Sequence, residues 1–241
     1  MRGLVTWLLL VMSCIAMSGK QSEIEWIEKD YDYGIIDEDA GKQGGQSRFV
    51  NRGAKNLSIL EVVPGCGCTE VEFPNEKLIP GDTAVISYSF NPKGRPGKFE
   101  KAIKVYTSES EGAERIILKG IVAASEETLN NRYPFNSGDL RIESISLPAG
   151  ELKKGMRRHL YLNLYNSGEK TIKPVWIADK EFLDVKTEPA ELGPKEGGSL
   201  CLLLDTVKAD ETGRLEIELT GKSSTESDDS IKVTVYVNII E

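Results

Sequence analysis

The 241-residue chain is 39% apolar and carries 30 Lys and Arg against 38 Asp and Glu, a net charge of −8. That length holds one large domain or two of about 100 residues each. The acidic balance argues against nucleic acid, which selects a basic face, and against anionic membrane surfaces.

The first residues read as a targeting segment. Arg2 precedes the apolar run 4–17, which is shorter than the about 20 residues of a typical spanning helix. Ala16 and Ser18 occupy the small-residue positions of a signal-peptidase site, which gives a signal peptide over 1–18 with cleavage after Ser18. The stretch "VMSC" offers an alternative, a lipobox with Cys14 as the lipidated residue and a lipid anchor. Both readings export the chain, to the periplasm or the outer membrane. No other long apolar run exists, so no transmembrane segment is expected after signal removal. Outside the cytoplasm disulfides persist. The exported chain keeps Cys66, Cys68 and Cys201, so any pair leaves one thiol over.

From residue 22 onward short alternating or apolar runs are separated by Gly, Pro, Asn and Asp. "LSILEVV" (57–63), "TAVISYSF" (83–90), "KAIKVYTS" (101–108) and "ERIILKGIV" (114–122) read as strands, with turns at "IPGD" (79–82) and "NPKGRPG" (91–97). This spacing is that of a β-sandwich. The segment 123–139 is polar, lacks a strand pattern and reads as a connector with room for a short helical turn.

The remainder, 140–241, repeats the grammar of 22–122. "FVNRGAKNLSI" (49–59) resembles "LYNSGEKTIKP" (164–174), with Asn51 and Asn166 in step. "LIPGDTAVISYSF" (78–90) resembles "LGPKEGGSLCLLL" (192–204), with Pro80 and Pro194 in step, and "PGKFEKAIKVYT" (96–107) resembles "TGRLEIELTG" (212–221). The offset stays at about 115 residues, as an internal duplication would leave it. The expected fold is therefore all-β: two tandem immunoglobulin-like β-sandwich domains after an N-terminal signal peptide. In the second unit "RRHLYLNLYNSG" (157–168) alternates. Leu160, Leu162 and Leu164 should face the core, with His159, Tyr161, Asn163 and Tyr165 on the opposite face.

"YDYGII" (31–36), "PGCGCTEVEFPNEKLIPGD" (64–82) and "FNPKGRPGKFEKAIKVYTS" (90–108), with the Asn-x-Gly turn of 49–59 between them, are similar to the Bacteroidota family called domain of unknown function 1573. The resemblance covers about 24–122, and the second unit follows it loosely, without the cysteine pair. It implies an exported, non-catalytic, immunoglobulin-like module of the ASH type and no known activity. "QSRFVNRG" (46–53) departs from the family's alternating aromatic run.

Cys66-Gly67-Cys68 is the motif that invites chemistry. In an extended segment residues two apart share a face, so the two sulfurs should lie side by side. Three readings stand. In the leading one they pack as small hydrophobes or close a local disulfide, with Gly67 permitting a tight or positive-φ backbone. In the second they serve thiol exchange, although Glu70 and Glu72 would oppose thiolate formation. In the third they hold a metal, and two thiolates suit Cu(I) better than tetrahedral zinc. Cys201 sits in an apolar run and is expected to be an inert buried thiol on a central strand. His159 is the only histidine, flanked by Arg157 and Arg158, and reads as a solvated face rather than a catalytic base. "TESDD" (225–229) reads as a hairpin tip and lacks the spacing of a calcium loop.

No enzyme and no cofactor is expected. The leading expectation is a binding or scaffolding protein of the bacterial envelope that acts on other envelope proteins, with His159, Tyr161 and Tyr165 as the candidate partner-binding face. Carbohydrate binding on Tyr161 and Tyr165 is a further reading. The main alternative is a thiol-redox or copper-handling role at Cys66 and Cys68.

Overall fold

The computed structural model describes residues 23–241; the signal segment and Cys14 lie outside them. The first unit contains β1 (Ile24–Glu28), β2 (Tyr31–Asp37), β3 (Gln43–Asn51), β4 (Ile59–Pro64), β5 (Thr69–Glu72), β6 (Thr83–Phe90), β7 (Gly97–Thr107) and β8 (Glu114–Ala123). They form two sheets, in the orders β1-β3-β6-β5 and β2-β8-β7-β4. Inward residues of both sheets, Phe49, Ile86 and Tyr88 from one and Ile103, Val105, Ile116 and Leu118 from the other, fill a shared core. The alternation in "TAVISYSF" is what makes this work. Ala84, Ile86, Tyr88 and Phe90 are buried on one side of β6.

A seven-residue helix, α1 (Glu126–Arg132), follows, capped by Ser125, whose Oγ accepts from Thr128 N. The second unit contains β9 (Phe135–Ser137), β10 (Leu140–Ile142), β11 (Ser146–Lys153), β12 (Arg157–Asn166), β13 (Val175–Ala178), β14 (Leu183–Glu188), β15 (Gly197–Asp205), β16 (Gly213–Lys222) and β17 (Ile231–Ile240). Its sheets run β14-β15-β12-β10-β9 and β11-β17-β16-β13. Among the described residues no strand of one unit pairs with a strand of the other. The architecture is all-β apart from α1.

The second unit repeats the eight strands of the first and adds β9 at the edge of one sheet. Strands β2 and β8 pair parallel, as do β11 and β17; every other ladder is antiparallel. The isolated bridge Leu57↔Leu78 recurs as Ile172↔Leu192. Asn51 and Asn166 are both fully buried and do the same work. Asn51 Nδ2 donates to the carbonyls of Lys55 and Leu78, and its Oδ1 accepts from Gly53 N. Asn166 Nδ2 donates to the carbonyls of Lys170, Leu192 and Gly193, and its Oδ1 accepts from Gly168 N. One amide thus ties together backbone groups of the loop that crosses the sandwich end.

One expectation changes. The stretch 123–139 is not strandless, because Ala123 ends β8 and Phe135–Ser137 forms β9 on the edge of the second unit. That strand is short, and backbone pairing with β10 rather than side-chain pattern creates it, so alternation could not reveal it. The segment "QSRFVNRG" forms most of the nine-residue β3, pairing β1 and β6 on its two sides. The hairpin tip expected at 225–229 does connect β16 to β17.

Candidate functional site

Cys66 and Cys68 are joined by a disulfide, with Cα atoms 5.2 Å apart. The turn between β4 and β5 carries them, and Asn91 N fixes it by donating to Cys68 O at 2.8 Å. Cys68 is buried and Cys66 half-buried, both against a satellite cluster of Tyr33, Phe90, Phe99 and Val122. Phe90 and Phe99 stack there with centroids 4.3 Å apart. Thr69 Oγ1 lies 3.5 Å from Cys66 Sγ. Gly67 is not the residue that needs to be glycine. It has no positive φ, and a Cβ on it would meet nothing within 4 Å. Gly65 is, because its Cβ would come 2.7 Å from the Ala102 carbonyl oxygen. Among the described residues no three His, Cys, Asp or Glu side chains gather to hold a metal ion.

The same end of the first unit seats the connector. Glu38, 3% exposed, accepts from Gly94 N at 2.9 Å and from Ser125 N at 2.8 Å, tying the β6–β7 loop to the start of α1. Burial raises the Glu38 carboxyl, but hydrogen bonds from Ser125, Thr128 and Gly94 outweigh it and hold its pKa below the ordinary 4.5. On the other side of the connector, Ala124 N donates to Tyr165 Oη at 2.8 Å, and Tyr133 stacks on the Tyr165 ring at 5.4 Å. Burial pushes the Tyr165 phenol up, and the Ala124 amide tempers the rise.

Tyr165 is therefore not part of an exposed face. It points outward from the sheet as its register requires, but α1 and Tyr133 cover it and leave it 1% exposed. Tyr161, four residues earlier and beyond the reach of α1, is 63% exposed. His159 is exposed beside it, with ring centroids 6.4 Å apart. The expected trio is thus split, and a Tyr161–Tyr165 platform for a sugar does not form. Leu162 and Leu164 are fully buried as expected, and Leu160 is half-buried at the core margin.

Cys201 lies on the interior strand β15, directly across from Tyr161 on β12 and Lys186 on β14. It is buried, yet it belongs to the outer face. Leu200, Leu202 and Leu204 take the core side. Its thiol faces the Glu188 carboxylate at 3.5 Å. Burial, then the hydrogen bond to that carboxylate, pushes the thiol pKa up, which keeps it protonated and inert.

The two units share one more feature. In the first, β2 shifts register against β8 between Asp32 and Ile35. Gly34 sits in that shift at φ +64, with its carbonyl oxygen 2.9 Å from where a Cβ on Gly120 would stand. The bulge opens an outer groove of about 350 Å³ lined by Ile35, Lys98 and Lys119 among others. In the second unit β11 shifts against β17 between Pro148 and Gly150, and Gly150 has φ +71. A groove of about 330 Å³ opens there, lined by Pro148, Arg214 and Tyr236 among others. By strand register Asp32 corresponds to Pro148, Lys98 to Arg214 and Lys119 to Tyr236. Strand alternation marks neither groove. The signal that would have found them is Gly34 and Gly150, in step with the other repeated positions.

Residues 24–122 match the family described as "Protein of unknown function (DUF1573)". The match spans the first unit and none of the second. No curated protein matches the chain. Solved structures similar to it include a protein of unknown function from Porphyromonas gingivalis W83, at 13% identity over 90% of this chain and 99% of that one, with a TM-score of 0.37. The ASH/PapD-like domain 7 of human CEP192 is 15% identical over 52% of this chain and 99% of its own, with a TM-score of 0.34. The secreted serine protease VesC from Vibrio cholerae is 13% identical over 92% of this chain and 52% of that one, with a TM-score of 0.39. Likenesses this weak carry no activity across to this chain.

Proposed function

We propose that this is an exported, non-catalytic binding or scaffolding protein of the bacterial envelope, working through protein–protein contacts. The observation that carries the reading is the duplicated groove. In the first unit it stands against polypeptide, because Glu196 from the second unit is among its lining residues. A groove whose rim already meets a side chain of the neighbouring unit suits polypeptide. Its equivalent in the second unit combines Arg214 and Tyr236, residue types enriched at binding hot spots, with the rigid ring of Pro148.

A photoreactive residue at position 236, used in growing cells, tests this. Adducts with envelope proteins that weaken when Arg214→Glu is added are the expected result. Recovery of the protein in the cytoplasm, or adducts indifferent to Arg214→Glu, would sink the reading.

A further inference from the structure

The groove of the second unit has a counterpart whose neighbour at the rim is visible. At the first groove the turn Gly193-Pro194-Lys195-Glu196 stands at the mouth. Lys98 Nζ lies 3.9 Å from Glu196 Oε1, and a Cβ on Gly97 would come 3.9 Å from Gly197 N. At the second groove Arg214 holds the place of Lys98 and Gly213 that of Gly97, while all lining residues come from the second unit.

The turn equivalent to 193–196 is Ile79-Pro80-Gly81-Asp82 of the first unit. It is built in the same way. Ile79 N donates to the Asp82 carboxylate at 2.9 Å, as Gly193 N does to the Glu196 carboxylate at 3.1 Å. Asn51 N donates to Asp82 O at 2.9 Å, as Asn166 N does to Glu196 O at 2.9 Å. An acid therefore stands at the same place on the turn, and a base at the same place on the groove.

We propose that the second-unit groove takes the Ile79–Asp82 turn of a second copy of this chain, joining copies head to tail. Charge complementarity points to that occupant, since Asp82 meets Arg214 as Glu196 meets Lys98 within the chain. Apolar matching points the same way. The turn carries Ile79, 55% exposed, where the second unit has Gly193. The groove carries Pro148 and Tyr236 where the first unit has Asp32 and Lys119. The apolar side chain gained by the turn meets those gained by the groove.

Such a contact is heterologous, so it does not close on itself and extends the two-unit stack as repeats extend a solenoid. A turn in a groove buries less than the roughly 1,200–2,000 Å² of a stable interface. The association is therefore weak and depends on concentration. The inference rests on the protein-binding reading above and names the partner.

The test mixes the exported protein carrying Thr83→Cys with the same protein carrying Thr212→Cys. Both positions are exposed, and both leave Asp82 and Arg214 in place. A short bismaleimide should join residue 83 of one copy to residue 212 of the other, read by peptide mass spectrometry. Sedimentation of the unmodified protein should show mass rising with concentration. Arg214→Glu and Tyr236→Glu, both outside the core, should each cut the link yield by about three- to tenfold without moving the melting temperature. A protein that stays monomeric with no 83–212 link overturns the proposal. So does a link yield unchanged by both substitutions. If position 236 captures other envelope proteins but never this chain, the head-to-tail contact fails while the scaffolding reading stands.

Discussion

The two units share a backbone framework and differ in what fills it. The turn between the sheets shows this best. In the first unit Asn91 N donates to Cys68 O, and in the second Asp205 N donates to Phe182 O, both at 2.8 Å. The same ladder position thus carries a disulfide half in one unit and a buried phenylalanine, 5% exposed, in the other. The side chain is exchangeable because the hydrogen bond, not the sulfur, sets the path of the chain. The disulfide reads as one of two solutions for plugging the end of a sandwich. The buried Asn51 and Asn166 are the opposite case. No other side chain offers two donors and an acceptor in that geometry, and both units keep it.

That contrast can be broken at five points. The largest effect is expected for Phe182→Ala, which empties a core site and should cost about 3–5 kcal/mol in urea unfolding. A loss no larger than that of the disulfide would remove the equivalence of the two plugs. Next comes Asn166→Ala, which removes the four hydrogen bonds of a fully buried amide and should cost about 2–3 kcal/mol, with Asn51→Ala alike. If the second is silent, the asparagines are not equivalent.

Glu38→Gln turns an accepting oxygen into a donor facing Gly94 N or Ser125 N and should cost about 1–3 kcal/mol. Its sign with pH is fixed. A carboxyl whose folded pKa lies below the unfolded value stabilises above about pH 4.5 and loses that contribution as pH falls through the folded pKa. The stability gap between wild type and Glu38→Gln should therefore narrow below pH 4.5, and a gap constant from pH 7 downward would contradict the assignment. The double change Cys66→Ser and Cys68→Ser opens a very small ring and should cost about 1.5 kcal/mol, visible as a lower urea midpoint. The smallest effects separate the two tyrosines. Tyr165→Phe should cost about 1 kcal/mol through the lost bond to Ala124. Tyr161→Ala should stay within about 0.5 kcal/mol. Equal losses in thermal melts would mean that α1 does not distinguish them.

Much of the fold was legible in the residues themselves. Alternation in "TAVISYSF" and "RRHLYLNL" fixed strands and inward faces, because a pleated strand sends successive side chains to opposite sides. Turn residues marked strand ends, and Asn51 with Asn166 and Pro80 with Pro194 marked the duplication. The Cys66–Cys68 proximity also followed from spacing. Periodicity, however, assigns a side chain to a face without saying what lies over that face. Tyr161 and Tyr165 are identical in the pattern. Only the docking of α1, seated by Glu38 from 87 residues away in sequence, buries one and leaves the other open. Cys201 looked like core because its neighbours are leucines, yet its burial comes from the outer side of the sheet. The grooves needed the register of β2 against β8 and of β11 against β17, parallel pairings between strands far apart in sequence. The sequence determined the strands and their repetition through local sterics and burial; tertiary structure decided which outer surfaces are covered, because covering depends on groups that meet only when distant segments pack.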